Sequence, residues 1–154
     1  MNSSAVFVEP NQGKVLQVLS DKIRVLASGQ QTAGKYEVFE LSGHEGSGPP
    51  PHSHPWDEAY FVLYGEIEVR VGGRQTRAKT GAFVLAPAET VHSFRIVTPS
   101  ARFIVMTSGS RGSAFFEAMD REIGFPPASF EAVCAVAERQ GLRLPADSAA
   151  FSSA

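Results

Sequence analysis

The sequence predicts an all-β fold, a sandwich or barrel of short strands, with two helices appended at its C-terminal end. Two observations carry this reading. Through residue 108 the chain runs as short segments rich in β-branched and aromatic residues, such as KVLQVL, KIRVLAS, YEVFEL and EIEVRV, broken by Gly, Pro and Asn. Runs of this length and spacing are the pattern of stacked or rolled antiparallel sheets. Beyond residue 108 the apolar period changes from 2 to 3.6, which turns the remainder into helices. At 154 residues the chain has the size of one domain, and such a domain buries about 70% of its unfolded surface, enough for a core without staples.

The composition narrows the partners. A formal net charge of −2 gives no basic footprint for nucleic acid or an anionic membrane, so a small-molecule partner is expected. The single cysteine, Cys134, excludes an intramolecular disulfide, and the start MNSSAVFVEPNQGK lacks the basic and apolar segments of a signal peptide. Both point to a reducing cytoplasm. No run approaches the ~20 apolar residues of a membrane helix.

In chain order, residues 5–9 (AVFVE) and the three runs that follow are predicted strands, separated by Pro10, Asn11, Gly13, Gly29 and Gly34. The loop over residues 42–51 is rich in Gly and Pro, and His44 within it is read as solvated. Pro49, Pro50 and Pro51 fix φ and remove backbone donors, so the strand after them starts at an edge or rim. The stretch GSGPPPHSHPWDEAYFVLYG then sets His52, His54 and Glu58 at even positions; in an extended segment they share one face. AYFVLY is apolar on both faces. Tyr60, Val62 and Tyr64 are expected inside with Glu58, while Phe61 and Leu63 point outward against the C-terminal helices or a second subunit. In EIEVRV the apolar residues move to odd positions, which predicts a bulge or corner at Gly65. Gly72-Gly73 reads as a hairpin turn.

RQTRAKT is a polar strand, GAFVLAP a short buried one, and VHSFRIV puts His92, Phe94 and Ile96 on one face. ARFIVMTS closes the β region. Phe115, Phe116, Met119 and Ile123 mark a first helix. Phe130, Val133, Cys134 and Ala137 mark a second, with Ser129 as N-cap and Gly141 as the residue past its end. Cys134 is a small hydrophobe of that stripe. The expected organisation is a barrel over residues 1–110, a helical extension of the same domain over 111–145, and a flexible tail over 146–154.

Three of the four histidines thus fall in phase with one carboxylate. Neutral imidazoles and a carboxylate are ligands for a divalent first-row metal, and four of them around an octahedral ion leave up to two positions for exchangeable ligands. Asp57, on the opposite parity, is turned away, and Trp56 is read as packing or rim. Glu58 has a second role within reach, accepting a proton from a hydroxyl whose pKa the metal lowers. The expected pocket wall, Tyr60, Val62, Tyr64, Phe94 and Ile96, suits a flat, largely apolar substrate.

The spacing Gly46-x5-His52-x-His54-x3-Glu58-x6-Gly65 resembles the first motif of the cupin superfamily, and Gly81-x5-Pro87-x4-His92 resembles the second. Glu89 stands where that family usually has glycine, which bears on the turn after Pro87, and Ile96 where it often has asparagine. The resemblance implies a jelly-roll β-barrel with His52, His54, Glu58 and His92 as ligands to one divalent transition metal (Fe, Mn, Ni, Co, Cu or Zn). DEAYFVLYGEIEVRVGG, VHSFRIV and the extension SAFFEAM are similar to small single-domain proteins related to quercetin 2,3-dioxygenase. That similarity implies a metal-dependent dioxygenase acting on a flavonol or similar enolic aromatic substrate, with Glu58 as base. Two other functions fit the same motif: a metal-dependent isomerase, lyase or hydrolase on a small hydroxy-carbonyl compound, and a non-catalytic small-ligand-binding cupin. The two helices are separated by GFPPA and lack a basic face, so they do not form a DNA-binding helix-turn-helix. The two-sided apolar strands predict a homodimer.

Overall fold

The computed structural model describes residues 4–145; the predicted tail over 146–154 lies outside them. Nine strands precede two helices: β1 (Val15–Val18), β2 (Asp21–Ala27), β3 (Tyr36–His44), β4 (Glu58–Tyr64), β5 (Glu66–Val71), β6 (Arg74–Lys79), β7 (Phe83–Ala86), β8 (His92–Ile96), β9 (Ser100–Ser108), α1 (Arg111–Glu122) and α2 (Phe130–Arg139). They form a six-stranded sheet, β1-β2-β3-β9-β4-β7, and a three-stranded sheet, β6-β5-β8, antiparallel throughout. The class is all-β with a jelly-roll plan. The chain changes sheets between β4 and β5, between β6 and β7, between β7 and β8, and between β8 and β9.

Gly65 makes the first change. Its φ is +75°, and a Cβ there would stand 2.4 Å from the Ser100 carbonyl oxygen, so only glycine takes this corner. The switch of inward parity happens earlier. The β4–β9 register slips by one residue between Val62 and Tyr64, a bulge that carries Tyr64 outward and leaves it 59% exposed. The odd-numbered Ile67 and Val69 are buried on the next strand.

The core fills the space between the inner faces with Phe39, Tyr60, Ile67, Ile96 and Phe103 among its members. Phe94 and Phe103 meet edge-on at 5.0 Å. Each such side chain removed from water stabilises the fold by about 1.5–3 kcal/mol. The three-stranded sheet is too narrow to cover the inner face of its six-stranded partner, and the helices complete the cover. Met119 and Val133 pack with Val18 and Leu19 of the β1 end, and Phe116 meets Phe39 edge-on at 5.0 Å.

The helix ends use different devices. Ser129 accepts from the Ala132 N–H at 3.1 Å and caps α2, and Gly141 follows its end with φ +92°. Ser110, at the start of α1, makes no such bond. A carboxylate from β3 replaces it: the buried Glu37 accepts from the Ser113 N–H at 2.9 Å, from the Ser113 hydroxyl, from Gly29 N–H at 3.0 Å and from the Thr107 hydroxyl at 3.3 Å. A negative group at a helix N-terminus is favoured by the helix dipole.

Two predicted strands differ. Residues 5–9 are irregular, with Phe7 85% exposed; the sheet ends at β1, and β-propensity without a neighbour to pair with does not make a strand. GAFVLAP was expected buried, yet Phe83 is 61% and Leu85 51% exposed. β7 is an edge strand, and the helices cover the other end of the sheet. Cys134 is half-buried.

Candidate metal centre

The centre lies where the chain crosses between sheets. His52 is bridged to His92 of β8, with backbone bonds of 3.0 and 2.8 Å in the two directions, so it belongs to the three-stranded side. After His54 the chain bends through Pro55 and Trp56 and Glu58 opens β4 on the six-stranded side. The expectation of three ligands on one strand is therefore replaced by a short bridged segment, a bend, and a strand. The ligand side chains converge across the gap between the sheets.

Each histidine is held by its other nitrogen. His52 Nδ1 lies 2.9 Å from the Pro50 carbonyl, His54 Nδ1 2.9 Å from the Trp56 carbonyl and His92 Nδ1 2.8 Å from the Thr90 carbonyl. A carbonyl only accepts, so each Nδ1 carries the proton and donates it. Each Nε2 then keeps its lone pair for the interior when the ring is neutral. Trp56 stacks on His54 with ring centres 4.2 Å apart and planes within 6°, and the Arg111 guanidinium lies over Trp56 at 5.5 Å.

One ligand atom from each of His52, His54, Glu58 and His92 falls in a group spanning no more than 4.8 Å, and all four residues are buried. Glu58 Oε2 lies 2.7 Å from His54 Nε2 and 3.2 Å from His92 Nε2. With every Nδ1 protonated, two nitrogen lone pairs and a carboxylate face one another at these distances. Such an arrangement is repulsive unless a cation, metal or proton, lies among them. The donor set therefore fits a divalent metal, with His52, His54, His92 and Glu58 as its holders.

The electrostatics show the same need for a cation among these groups, a proton included. Burial, aided by His92, pushes His52 down to about 4, so it is neutral and ready to coordinate at physiological pH. Burial works to raise Glu58, but hydrogen bonds from His54 and His92 outweigh it and hold the carboxyl well below the usual range. For His92, burial works downward and the Glu58 hydrogen bond overcomes it, raising the ring.

A cavity of about 310 Å³ opens onto His52, His54 and Glu58, at the small end of the range for ligand sites. Tyr60 and Phe94 of the expected wall line it. Val62 and Ile96 sit in the sealed core beside it, and Tyr64 is outside. Phe115, Phe116 and Met119 roof it from α1. In the sequence these three are recognisable only as the apolar stripe of a first helix, and nothing in helical spacing tells a roof from a core. Sequence reasoning also passed over Trp56 as a support for His54, although its place between His54 and Glu58 was a signal. Asp57 is turned away, accepting from Ala88 N–H at 2.9 Å, and His44 is exposed.

Fold and site together define a β-barrel protein whose centre is suited to a divalent metal beside a small-molecule cavity. The chain matches the family model described as Cupin domain over residues 38–107. It is 27% identical over 139 residues, 89% of its length, to a quercetin 2,3-dioxygenase of Bacillus subtilis, and spans 39% of that relative's length. Among solved structures it is similar to KdgF from Halomonas sp. (TM-score 0.65, 20% identity, covering 72% of this chain and 99% of that one). It is also similar to an RmlC-like cupin from Shewanella frigidimarina (TM-score 0.64, 19% identity, 74% and 99% covered). At these identities the structural likenesses speak for the fold alone.

Proposed function

We propose that the protein is a metal-dependent dioxygenase of the quercetinase-like type, cleaving a flavonol or a similar enolic aromatic substrate with O₂. The observation that carries this reading is the joining of a mostly apolar, aromatic-lined cavity to a buried three-histidine, one-carboxylate centre. The likeness to the Bacillus subtilis quercetin 2,3-dioxygenase along 89% of this chain supports it. When bound, the metal would supply Lewis-acid activation of the enol and a meeting point for the two reactants.

The residues divide the remaining work. His52, His54 and His92 hold the ion, oriented by their Nδ1 bonds. Glu58 accepts the enol proton, since it is ionised and within the centre. Tyr60 and Phe94 flank the flat ring, and the α1 roof excludes water from it. Residues 1–110 form the barrel and 111–145 its extension within one domain, supported by the packing of α1 and α2 over the cavity. The same proposal places the protein in the cytoplasm, consistent with its one unpaired cysteine.

It also includes a homodimer. The outer face of β9, β4 and β7 carries two cross-strand apolar rows, Met106-Ala59-Leu85 and Ile104-Phe61-Phe83, which the helices leave uncovered. The decisive assay for the activity is oxygen uptake with carbon monoxide release from a flavonol, run on protein loaded with each candidate metal. Uptake matching flavonol loss is expected; an unchanged flavonol spectrum with every metal would overturn the substrate assignment.

A further inference from the structure

Among the described residues, three buried side-chain polar atoms have no hydrogen-bond partner: Asp21 Oδ1, Ser47 Oγ and the Tyr60 hydroxyl. All three residues line the cavity that opens on the metal centre. Leaving such a group unpaired costs about 1–3 kcal/mol, more for a charge, and folds rarely keep one unless something completes it. Tyr60 sits beside Glu58 and belongs to the centre. Asp21 and Ser47 do not.

These two meet over Gly43. A Cβ at Gly43 would stand 2.1 Å from Asp21 Oδ1 and 2.8 Å from Ser47 Oγ, so the missing side chain makes their room. The Ser47 hydroxyl lies close enough to the Asp21 carboxyl to lower its pKa, yet neither Asp21 Oδ1 nor Ser47 Oγ has a hydrogen-bond partner of good geometry. Ser47 is firmly placed. Gly46 N–H donates to the Ile96 carbonyl at 2.8 Å and Ile96 N–H to the Ser47 carbonyl at 2.9 Å. Gly48 lies flat on β8, where a Cβ would fall 2.0 Å from the Phe94 carbonyl oxygen. Ser47 thus pairs with Ile96 as His52 pairs with His92. Four residues of strand separate the two levels, about 13 Å. Ile23, Leu41, Phe94, Phe116 and Met119 line the cavity as well and give it an apolar middle.

We infer that Asp21 and Ser47 form a second polar station of the cavity, which accepts a hydrogen-bond donor of the ligand, a phenolic hydroxyl or an amine, remote from its metal-binding oxygens. The ligand is then an extended multi-ring molecule with polar groups at both ends. This rests on reading the cavity as the substrate site.

The test uses the full metal-loaded chain without oxygen, so that binding is read without turnover. Two flavonols share the same metal-binding enol: quercetin, with further hydroxyls on its rings, and 3-hydroxyflavone, with none. Fluorescence titration should find quercetin bound about tenfold more tightly by the native chain. Asp21→Ala with Ser47→Ala should abolish that preference while leaving 3-hydroxyflavone affinity unchanged; a preference retained in the double variant overturns the station. Thermal unfolding of the ligand-free single variants is the second readout. Groups kept for a ligand predict a midpoint unchanged or raised, and a fall of more than about 5 °C in both variants overturns the station by making the pair structural. If neither flavonol binds the native chain, the flavonol reading fails, and the thermal result decides the station separately.

Discussion

At the residue scale, the identity of the ligands was legible because three of them lie within seven residues and the fourth sits at a fixed offset from a Gly and a Pro. Their geometry was not. Even parity on one strand is a statement about side-chain direction, whereas the structure reaches the same convergence by a bend at Pro55 and Trp56. Tyr64 was misplaced because a one-residue bulge leaves no mark in an apolar run. Asp21 was invisible because its burial depends on Gly43 and Ser47, which are distant in sequence. Its titration gives a sharp expectation. Burial, offset in part by Ser47 and His44, raises it from 3.8 to about 6. A raised folded-state pKa favours the protonated form, so this stabilisation is complete below pH 3.8 and is lost as pH rises through about 6. The swing is at most about 3 kcal/mol. Asp21→Asn should flatten that part of the stability profile, measured by denaturant unfolding from pH 4 to 8; an unchanged slope would show that Asp21 is not desolvated.

At the element scale, strand and helix periods, the Ser129 cap and the Gly65 corner were readable, since each is set by neighbours in the chain. The start of α1 was not, because its cap comes from β3. Glu37→Ala would leave the Ser113 N–H and hydroxyl, the Gly29 N–H and the Thr107 hydroxyl without their acceptor. A loss of about 3–5 kcal/mol in denaturant stability is expected, and a loss below 1 kcal/mol would refute the capping role. The turn after Pro87 presents a different case. Glu89 keeps the turn with φ +65°, its N–H donating to the His54 carbonyl at 2.8 Å and its carboxylate paired with Arg143 at 2.9 Å on the surface. A non-glycine residue there costs about 1–2 kcal/mol. Glu89→Gly should hold or raise the thermal midpoint and Glu89→Val should lower it; a midpoint lowered in both would mean that the ion pair dominates.

At the scale of the whole molecule, the two sheets differ in width, and the consequences reach both cover and function. The helices complete the inner face and roof the cavity, so the outer face of β4, β7 and β9 is left apolar. Both covers had been considered for Phe61 and Leu63, and periodicity could not choose between them. In the proposed dimer this face is shared by two copies. Sedimentation at micromolar concentration should report a dimer, and Phe61→Glu with Phe83→Glu should yield a folded monomer; a monomeric native chain would remove the dimer.

The function of this centre depends on whether the three Nε2 atoms and Glu58 hold a metal. Elemental analysis of the purified chain, reloaded at neutral pH and then freed of excess ion, is the most direct measurement. It should find one transition-metal ion per native chain, and less than about a tenth of that in His52→Ala, His54→Ala and His92→Ala variants that retain the native circular dichroism. A native chain that binds none, or variants that bind as much as it does, would contradict metal binding by these residues.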